Sequence, residues 1–195
     1  MRVLVCGATG FIGRPLTRAL LERGHDVVGA ARRPQRIASS GGRRSEAMAA
    51  DFARDVSMAA WLPRLAGIDT VVNAVGILRE SRGPHGAHGQ RFEELHVRTP
   101  MALFDACLAA GVRRVVQLSA LGADEDAASA YHRSKRRTDL HLLSLPLPLT
   151  ASVVQPSLVY GPGGASAALF ETLASLPFMP LPRSEEHTSE LQSQR

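Results

Sequence analysis

The sequence predicts an α/β fold built on a doubly wound parallel sheet, because strand patterns alternate with helix patterns along most of its 195 residues. Apolar β-formers at residues 3–6 run into a glycine-rich turn, and a helical apolar stripe follows the turn. That helix stops at Gly24, and a second strand starts at Asp26. Strand, turn, helix and strand fill about thirty residues, which is the length of one βαβ unit. The expected architecture is therefore of the Rossmann type.

The later elements follow from the same alternation. Residues 46–50 are predicted as a weak third strand that ends at Asp51, and residues 69–75 as a short, valine-rich fourth strand that ends at Gly76. Glycines and prolines make residues 77–90 a loop. Helices are predicted at residues 58–65, 92–110 and 129–143, and further strands at residues 113–119 and 149–154.

The turn after the first strand carries Gly7, Gly10 and Gly13 in the spacing G-x-x-G-x-x-G. Glycines allow a sharp turn, a close approach to a pyrophosphate and tight packing of the following helix. The N-terminus of that helix adds free N–H groups, which favour phosphate. The pattern predicts a dinucleotide-binding loop, and a glycine turn without a ligand is the alternative. The residues between the glycines of this loop include Thr9, Phe11 and Ile12.

Composition argues against several classes of protein. The net charge is +5, but the arginines are scattered without interleaved aromatic residues, so no nucleic-acid partner is expected. No apolar stretch approaches the ~20 residues of a membrane span, and a cytoplasmic location is expected. Cys6 and Cys107 are predicted to be reduced and buried, and no metal site is expected.

Tyr131 and Lys135 stand four residues apart on a predicted helix, so their side chains project from one face. An ammonium near a phenol favours the phenolate, which lowers the pKa of the phenol and suits proton transfer. The same ammonium can donate to the ribose hydroxyls of a nicotinamide cofactor. Lys135 is the single lysine among 23 basic side chains, and arginine replaces such a compact charge poorly. The pair therefore indicates an acid/base site.

With these motifs in order, the chain resembles the short-chain dehydrogenase/reductase superfamily, in its extended, epimerase/dehydratase-like branch. Within that branch, His96 and Val97 look most like proteins similar to the NAD(P)H-binding accessory subunit of respiratory complex I, as does SALGAD at residues 119–124. The motifs that carry the resemblance are VLVCGATGFIG at residues 3–13, the acidic strand end at residues 51–52, NAVG at residues 73–76, YHRSK at residues 131–135 and PSLVYGPGG at residues 156–164.

The resemblance implies a nicotinamide cofactor along one edge of the sheet. The three glycines would hold its pyrophosphate, and Asp51 and Phe52 would flank its adenine. Asn73 and Pro156 are assigned to the cofactor in the same way, although a turn residue and a strand terminator are their alternatives. The other residues implied to line the cofactor are Ala74, Val75, Gly76, Lys135 and Ser157.

The resemblance also implies catalytic roles. Tyr131 would be the acid/base, and Lys135 would hold the ribose. The hydroxyl that positions the substrate usually follows the first serine after the fifth strand by one or two residues. Those positions hold Ala120 and Leu121, so Ser119 is the remaining candidate for the role. Catalysis is therefore a weaker expectation than cofactor binding.

Two further departures concern the cofactor and the long helix. The acidic residue that commonly ends the second strand is replaced by Ala31, with Arg32 and Arg33 after it. A small neutral residue beside guanidiniums suits a 2′-phosphate, so NADPH is favoured and NAD is the alternative. The alternative reading of the two arginines is that they are ordinary loop residues. His96 replaces a family asparagine. Its imidazole would either support a bound water or be a structural partner of a backbone carbonyl, and the second role is favoured.

Two functions fit these observations. The first is an NAD(P)-dependent oxidoreductase or epimerase/dehydratase-like enzyme that acts on a small molecule with Tyr131 as acid/base. The second is a non-catalytic NAD(P)H-binding structural or sensor protein that acts through a protein partner or a second copy of the chain. The retained tyrosine and lysine favour the enzyme, and the missing hydroxyl and asparagine favour the binding protein.

The last residues do not fit the fold pattern. Residues 183–195 read RSEEHTSELQSQR, which is polar throughout and resembles a translated sequencing-library adapter over residues 183–193. A natural disordered tail is the alternative. We expect residues 1–182 to be an NAD(P)-binding domain that is incomplete at its C-terminal side, before the substrate lobe, and residues 183–195 to be non-native.

Overall fold

The computed structural model describes residues 1–34, 45–81 and 89–161, and within these ranges it confirms the predicted parallel sheet. Six parallel strands lie in the order β3-β2-β1-β4-β5-β6. Their bounds are β1 Arg2–Cys6, β2 Asp26–Ala31, β3 Ser45–Ala49, β4 Thr70–Asn73, β5 Arg114–Leu118 and β6 Thr150–Val154. The weak third strand is therefore real, and it begins one residue earlier than predicted.

Helices connect the strands. Their bounds are α1 Gly13–Glu22, α2 Met58–Trp61, α3 Thr99–Ala109 and α4 Ala130–Ser144. Helix α2 continues as a 3₁₀ turn, Leu62–Leu65, whose first residues include Pro63. A π-helical turn, Glu93–Arg98, leads directly into α3. The single helix predicted at residues 92–110 thus has the right extent, but its first turns are wider than those of an α-helix.

The core lies on both faces of the sheet, because successive side chains of a strand point to opposite faces. On one face, Val3 and Val5 of β1 pack with Leu21 of α1. On the other face, Leu4 and Cys6 of the same strand belong to a larger cluster that contains Trp61, Leu103 and Phe104. Both free thiols, Cys6 and Cys107, are buried as predicted, and burial raises the pKa of the Cys6 thiol to about 12.

The strand order creates a crevice at the carboxyl ends of the strands, where the order reverses beside β1. The chain leaves β1 in one direction toward β2 and β3, and returns on the other side of β1 to form β4, β5 and β6. Ligands of open α/β sheets bind outside the carboxyl ends of the strands at such a reversal. The fold therefore directs attention to the loops that follow β1 and β4.

The structure divides into two compact units, Met1–Ser157 and Leu158–Arg195. The sheet and its helices belong to the first unit, and only residues 158–161 of the second are described. The predicted tail at residues 183–195 lies outside the described residues. In the described part of the chain, no helix has the length and hydropathy to cross a membrane, and no group of three or more His, Cys, Asp or Glu side chains could hold a metal ion.

Candidate functional site

The turn after β1 is packed so closely that two of its three glycines cannot carry side chains. Gly7 has a φ of +79°, and a Cβ there would lie 2.9 Å from the carbonyl oxygen of Ala74. A Cβ on Gly13 would lie 2.1 Å from the carbonyl oxygen of Gly7, and one on Gly10 would lie 3.1 Å from the same oxygen. Hydrogen bonds from Gly7 N to Ala30 O (3.0 Å) and from Gly10 N to Gly7 O (2.8 Å) hold the turn. Gly7 and Gly13 are thus required by a neighbouring backbone, and a side chain at Gly10 would make a tight contact.

A pyrophosphate fits this turn. Helix α1 begins at Gly13 after Ile12, whose side chain does not cap it. Arg14 N donates to Gly10 O (3.0 Å) and Pro15 has no N–H, so among the described residues the N–H groups without a partner at this terminus are those of residues 11–13. Such groups, together with the helix dipole, favour an anion. Arg14 folds back and donates from Nη2 to the carbonyl oxygen of Thr9 (3.1 Å), which places a positive charge on the turn. The turn therefore has the shape and polarity that the sequence predicts.

A cavity of about 180 Å³ opens beside this turn. Predicted site residues on its wall are Gly7, Thr9, Gly10, Arg32, Asp51, Phe52, Ala74, Val75 and Gly76. The wall also contains residues that the sequence analysis did not assign to the site, among them Ala30, Ala50, Ala53, Ile77, Gln90 and Leu95. Several of these are small apolar residues at strand ends, a position that the doubly wound pattern could have suggested.

The remaining predicted cofactor residues do not line the cavity. Phe11 is part exposed on the turn, and Gly13 lies beneath it as packing for α1. Asn73 is buried; its Nδ2 donates to Gln117 Oε1 (2.8 Å), and its Oδ1 accepts from Val75 N (3.2 Å). The prediction that Asn73 contacts the cofactor is therefore wrong for its side chain, which instead shapes the end of β4. The other predicted cofactor residues absent from the cavity wall are Ile12, Lys135 and Pro156, and Ser157 is absent as well.

Asp51 and Phe52 close the cavity on the β3 side. The Asp51 carboxylate accepts from Ala53 N (3.0 Å), which fixes the turn after β3. Phe52 is buried with its ring edge-on to Trp61 at 5.3 Å, and its carbonyl oxygen accepts from the Thr99 hydroxyl (2.7 Å). These contacts join this side of the cavity wall to α2 and α3. The packing of the core therefore sets the width of the cavity.

Helix α4 positions the predicted acid/base pair. Its first turn is capped by Ser129, whose hydroxyl accepts from His132 N (3.1 Å). Lys135 is buried, and its Nζ donates to the carbonyl oxygen of Leu118 (3.0 Å) and approaches that of Val75 (3.5 Å). The ammonium therefore lies between the carboxyl ends of β4 and β5. Burial lowers the pKa of Lys135 to about 8, and the nearby Asp139 carboxylate opposes this shift.

Tyr131 lies in an aromatic cluster at the start of α4. Its ring meets those of Phe92, His96 and His132 edge-on, at centroid distances of 5.9, 5.5 and 5.0 Å. No described residue forms a hydrogen bond with its hydroxyl, which is therefore available to a ligand. Burial raises the pKa of the phenol. The direction is opposite to the one predicted from Lys135, because desolvation of the phenol is the cause of the shift.

His96 is a structural partner of the backbone, although not of a carbonyl as predicted. Its Nε2 accepts from Ile77 N (3.0 Å), and its Nδ1 lies 2.9 Å from Ser134 Oγ. Because Nε2 accepts from an amide, the proton of the neutral ring is on Nδ1, which donates to Ser134. The Ser134 hydroxyl in turn donates to Tyr131 O (2.6 Å). This chain joins the loop after β4 to the first turn of α4.

Protonation of His96 breaks the chain, so we expect acid to destabilise the protein through this residue. Burial and the Lys135 charge lower the pKa of His96 from 6.5 to about 3. Between these pH values the unfolded chain binds more protons than the folded one. The contribution of neutral His96 to the free energy of unfolding is therefore fully present above about pH 6.5 and is lost as the pH falls toward 3. Thermal unfolding of wild type and His96→Gln between pH 7 and pH 4 measures the effect. The glutamine keeps an acceptor for Ile77 and does not titrate, so its loss of stability should be smaller; parallel losses would contradict the assignment.

Comparison with known proteins assigns most of the chain to a protein family. A family model for the NAD dependent epimerase/dehydratase family matches residues 3–175. The chain belongs to this family. The cofactor class that corresponds to the glycine turn is therefore a nicotinamide dinucleotide.

The individual proteins that resemble this chain share less than a third of its sequence. A ceramide reductase of Caulobacter vibrioides is 29% identical over 181 residues, which are 92% of this chain and 53% of that protein. The chain thus spans about half the length of this curated relative. The structure of MoeE5 in complex with UDP-glucose and NAD has a TM-score of 0.69 and 25% identity, over 89% of this chain and 60% of that one. WbmH of Bordetella bronchiseptica in complex with NAD⁺ shares the fold, with a TM-score of 0.66 at 20% identity, over 89% of this chain and 62% of that one.

Ser119 departs from the role predicted for a family hydroxyl. It is buried at the end of β5, and its Oγ donates to Asp139 Oδ2 in a short hydrogen bond. The hydroxyl proton is therefore bound within the protein and does not face a substrate. Burial raises the pKa of Asp139, whereas the bond from Ser119 and the charge of Lys135 lower it. The prediction of Ser119 as a donor to substrate does not fit this arrangement.

Proposed function

We propose that this protein is an NAD(P)-dependent oxidoreductase that reduces a carbonyl group, with Tyr131 as the proton donor. The observation that carries the proposal is the Tyr131 hydroxyl, which is without a partner among the described residues and lies one helical turn before the buried Lys135 ammonium. Burial raises the pKa of the phenol, so it is protonated at neutral pH. A protonated phenol is the state that donates to a developing alkoxide, which is the proton transfer that carbonyl reduction requires.

Each residue then has a task that follows from its position. A nicotinamide dinucleotide held at this site would supply the hydride that reduces the carbonyl carbon. The turn at Gly7 and Gly10 would let the pyrophosphate approach the backbone closely, and the N–H groups of residues 11–13 would hold it. Lys135, whose ammonium lies between the carboxyl ends of β4 and β5, would donate to the ribose hydroxyls. Tyr131 transfers its proton to the substrate oxygen, and His96 holds the loop after β4 against α4.

Single-turnover oxidation of bound NADPH across a panel of carbonyl substrates tests the proposal. The panel includes ceramide-type ketones and nucleotide sugars, because the relatives are a ceramide reductase and a protein in complex with UDP-glucose. We expect loss of NADPH absorbance with at least one ketone. If wild type binds NADPH but oxidises it with none of the panel, the oxidoreductase proposal is overturned.

We also propose a preference for NADPH over NADH. Ala31, at the end of β2, has no carboxylate to repel a 2′-phosphate, and Arg32 lies on the cavity wall. We expect Arg32→Ala to weaken NADPH binding by roughly tenfold or more and NADH binding by little, because a charged hydrogen bond to the phosphate is lost. Isothermal titration calorimetry measures both dissociation constants.

Arg33→Ala is the matched control for this variant. Arg33 has the same charge and exposure and is adjacent in sequence, but it is absent from the cavity wall. Its replacement should leave the ratio of the two dissociation constants unchanged. Equal losses in the two variants would mean that net charge alone attracts the cofactor, and tighter binding of NADH by wild type would refute the preference.

A second function, a non-catalytic NAD(P)H-binding structural or sensor protein, is favoured by one observation. The Ser119 hydroxyl donates to Asp139, and the next residues, Ala120 and Leu121, have no hydroxyl. A donor that stabilises a developing oxyanion is worth ~3 kcal/mol of barrier. This protein would act through a protein partner or a second copy of the chain. Tight NADPH binding without turnover in the single-turnover experiment would support it.

A further inference from the structure

Arg32 and Gln90 meet across the cavity beside the glycine turn. Arg32 follows β2, Gln90 lies shortly before the π-helical turn, and both side chains line the cavity wall. Because a guanidinium can only donate hydrogen bonds, the Gln90 amide presents its oxygen to it. In that orientation Oε1 accepts from Arg32 Nη1 at 2.8 Å and from Nη2 at 3.1 Å. One neutral oxygen thus holds both terminal nitrogens of the guanidinium.

Gln90 is itself held in place by its backbone. Ser81 N donates to Gln90 O at 2.9 Å, and Gln90 N approaches Ser81 Oγ at 3.3 Å. Two residues later, Phe92 N donates to Glu80 Oε1 at 2.8 Å. Phe92 then stacks on His96, with ring centroids 5.1 Å apart. The Gln90 amide therefore projects from a segment that is bonded to residues 80–81 and packed on the start of the long helix.

Arg32, in contrast, has little else to define its position. Its side chain is exposed, and in the described part of the chain no carboxylate lies within ion-pair distance of it. A free arginine loses much rotamer freedom when it binds a phosphate, and this loss weakens binding. An arginine that is already oriented loses less. Because Gln90 is neutral, it orients the guanidinium without cancelling the charge, and further N–H groups are left for an anion.

We propose that Gln90 is a positioning residue that orients Arg32 toward the 2′-phosphate of NADPH, and that it thereby determines cofactor specificity. The inference rests on the proposed NADPH preference and deepens it. Gln90 acts through Arg32 and contributes only to ligands that carry the 2′-phosphate. NADH, which has a hydroxyl at this position, gains nothing from an oriented guanidinium.

A double-mutant cycle on the full chain tests the proposal. The variants are Arg32→Ala, Gln90→Leu and the double variant, and the ligands are NADPH, NADH and adenosine 2′,5′-bisphosphate, titrated by calorimetry. We expect Gln90→Leu to weaken binding of the two 2′-phosphate ligands by roughly tenfold and to leave NADH within about twofold. In the Arg32→Ala background the same substitution should have no further effect, because its target is gone.

Gln90→Glu separates orientation from charge. A carboxylate at this position would still hold the guanidinium, but it would also repel the phosphate. We therefore expect NADPH binding to fall at least as far as in Gln90→Leu, and NADH binding to change little. If Gln90→Glu instead bound NADPH as tightly as wild type does, an oriented but neutralised arginine would suffice, and the proposed role of a neutral amide would be overturned.

The outcomes distinguish a failure of the role proposed for Gln90 from a failure of the proposed NADPH preference. If wild type prefers NADPH, and Arg32→Ala abolishes the preference while Gln90→Leu does not alter it, the role of Gln90 is overturned and the preference stands. The same holds if Gln90→Leu weakens NADH and NADPH equally, or if the two substitutions are additive. If wild type binds neither dinucleotide, or binds NADH as tightly as NADPH, both proposals fail.

Discussion

Replacement of Tyr131 by phenylalanine is expected to lower the rate of hydride transfer by about 10²- to 10⁴-fold, the usual contribution of a positioned general acid. The phenolic hydroxyl is the only group removed. The ring contacts with Phe92, His96 and His132 do not require the hydroxyl, so the aromatic cluster should survive. The hydroxyl also has no hydrogen-bond partner among the described residues whose loss would disturb the fold. The dissociation constant of NADPH should therefore change little while the single-turnover rate collapses.

Tyr160→Phe is the matched control, because Tyr160 is the other tyrosine of the chain and is exposed. It should leave the single-turnover rate and cofactor binding unchanged. Rates and calorimetric dissociation constants for both variants complete the comparison. An unaltered rate in Tyr131→Phe would eliminate Tyr131 as proton donor, and a large loss of NADPH affinity would assign the hydroxyl to cofactor binding.

The parts of the fold that depend on local periodicity could be predicted from the sequence. The alternation of strands and helices predicted a parallel sheet, and the spacing of the glycines predicted the turn before α1. The π-helical turn at Glu93–Arg98 was not predicted, although Pro100 gives a local reason for it, because proline has no N–H for the His96 carbonyl oxygen four residues before it. The Thr138 hydroxyl donates to that carbonyl oxygen, and the His96 ring bonds to the loop after β4. These two contacts come from distant parts of the chain, and no local pattern indicates them.

The candidate site also has some features that the sequence could predict and others that it could not. A spacing of four residues places Tyr131 and Lys135 on one face of α4, which sequence alone can show. Sequence alone cannot show that burial raises the pKa of the Tyr131 phenol, because burial depends on how α4 packs against the π-helical turn, α3 and β6. Likewise, nothing local to Ser119 indicates that its proton is bound by Asp139, twenty residues further along the chain. Nor does any motif link Arg32 with Gln90, which only the folded loops bring together.

Gly13→Ala is expected to have the largest effect on stability, a loss of about 3 kcal/mol or more. The new Cβ would lie 2.1 Å from the carbonyl oxygen of Gly7, and both atoms belong to a backbone that cannot rotate away as a side chain can. Relief of the clash must move α1 away from the end of β1. That movement would also displace the N–H groups proposed to hold the pyrophosphate, so NADPH affinity should fall together with stability. Urea unfolding and calorimetric titration measure the two effects.

Two other glycines separate a steric clash from backbone strain. Gly111 has a φ of +74°, but a Cβ there would meet no atom within 4 Å, so Gly111→Ala carries conformational strain of about 1 kcal/mol without a clash. Gly10→Ala would place a Cβ 3.1 Å from the Gly7 oxygen, a tight contact that a small shift relieves. Stability should therefore fall most in Gly13→Ala, and Gly111→Ala should keep wild-type affinity for NADPH. If Gly13→Ala were no less stable than Gly111→Ala, close packing of α1 on the turn would not be what requires a glycine at this position.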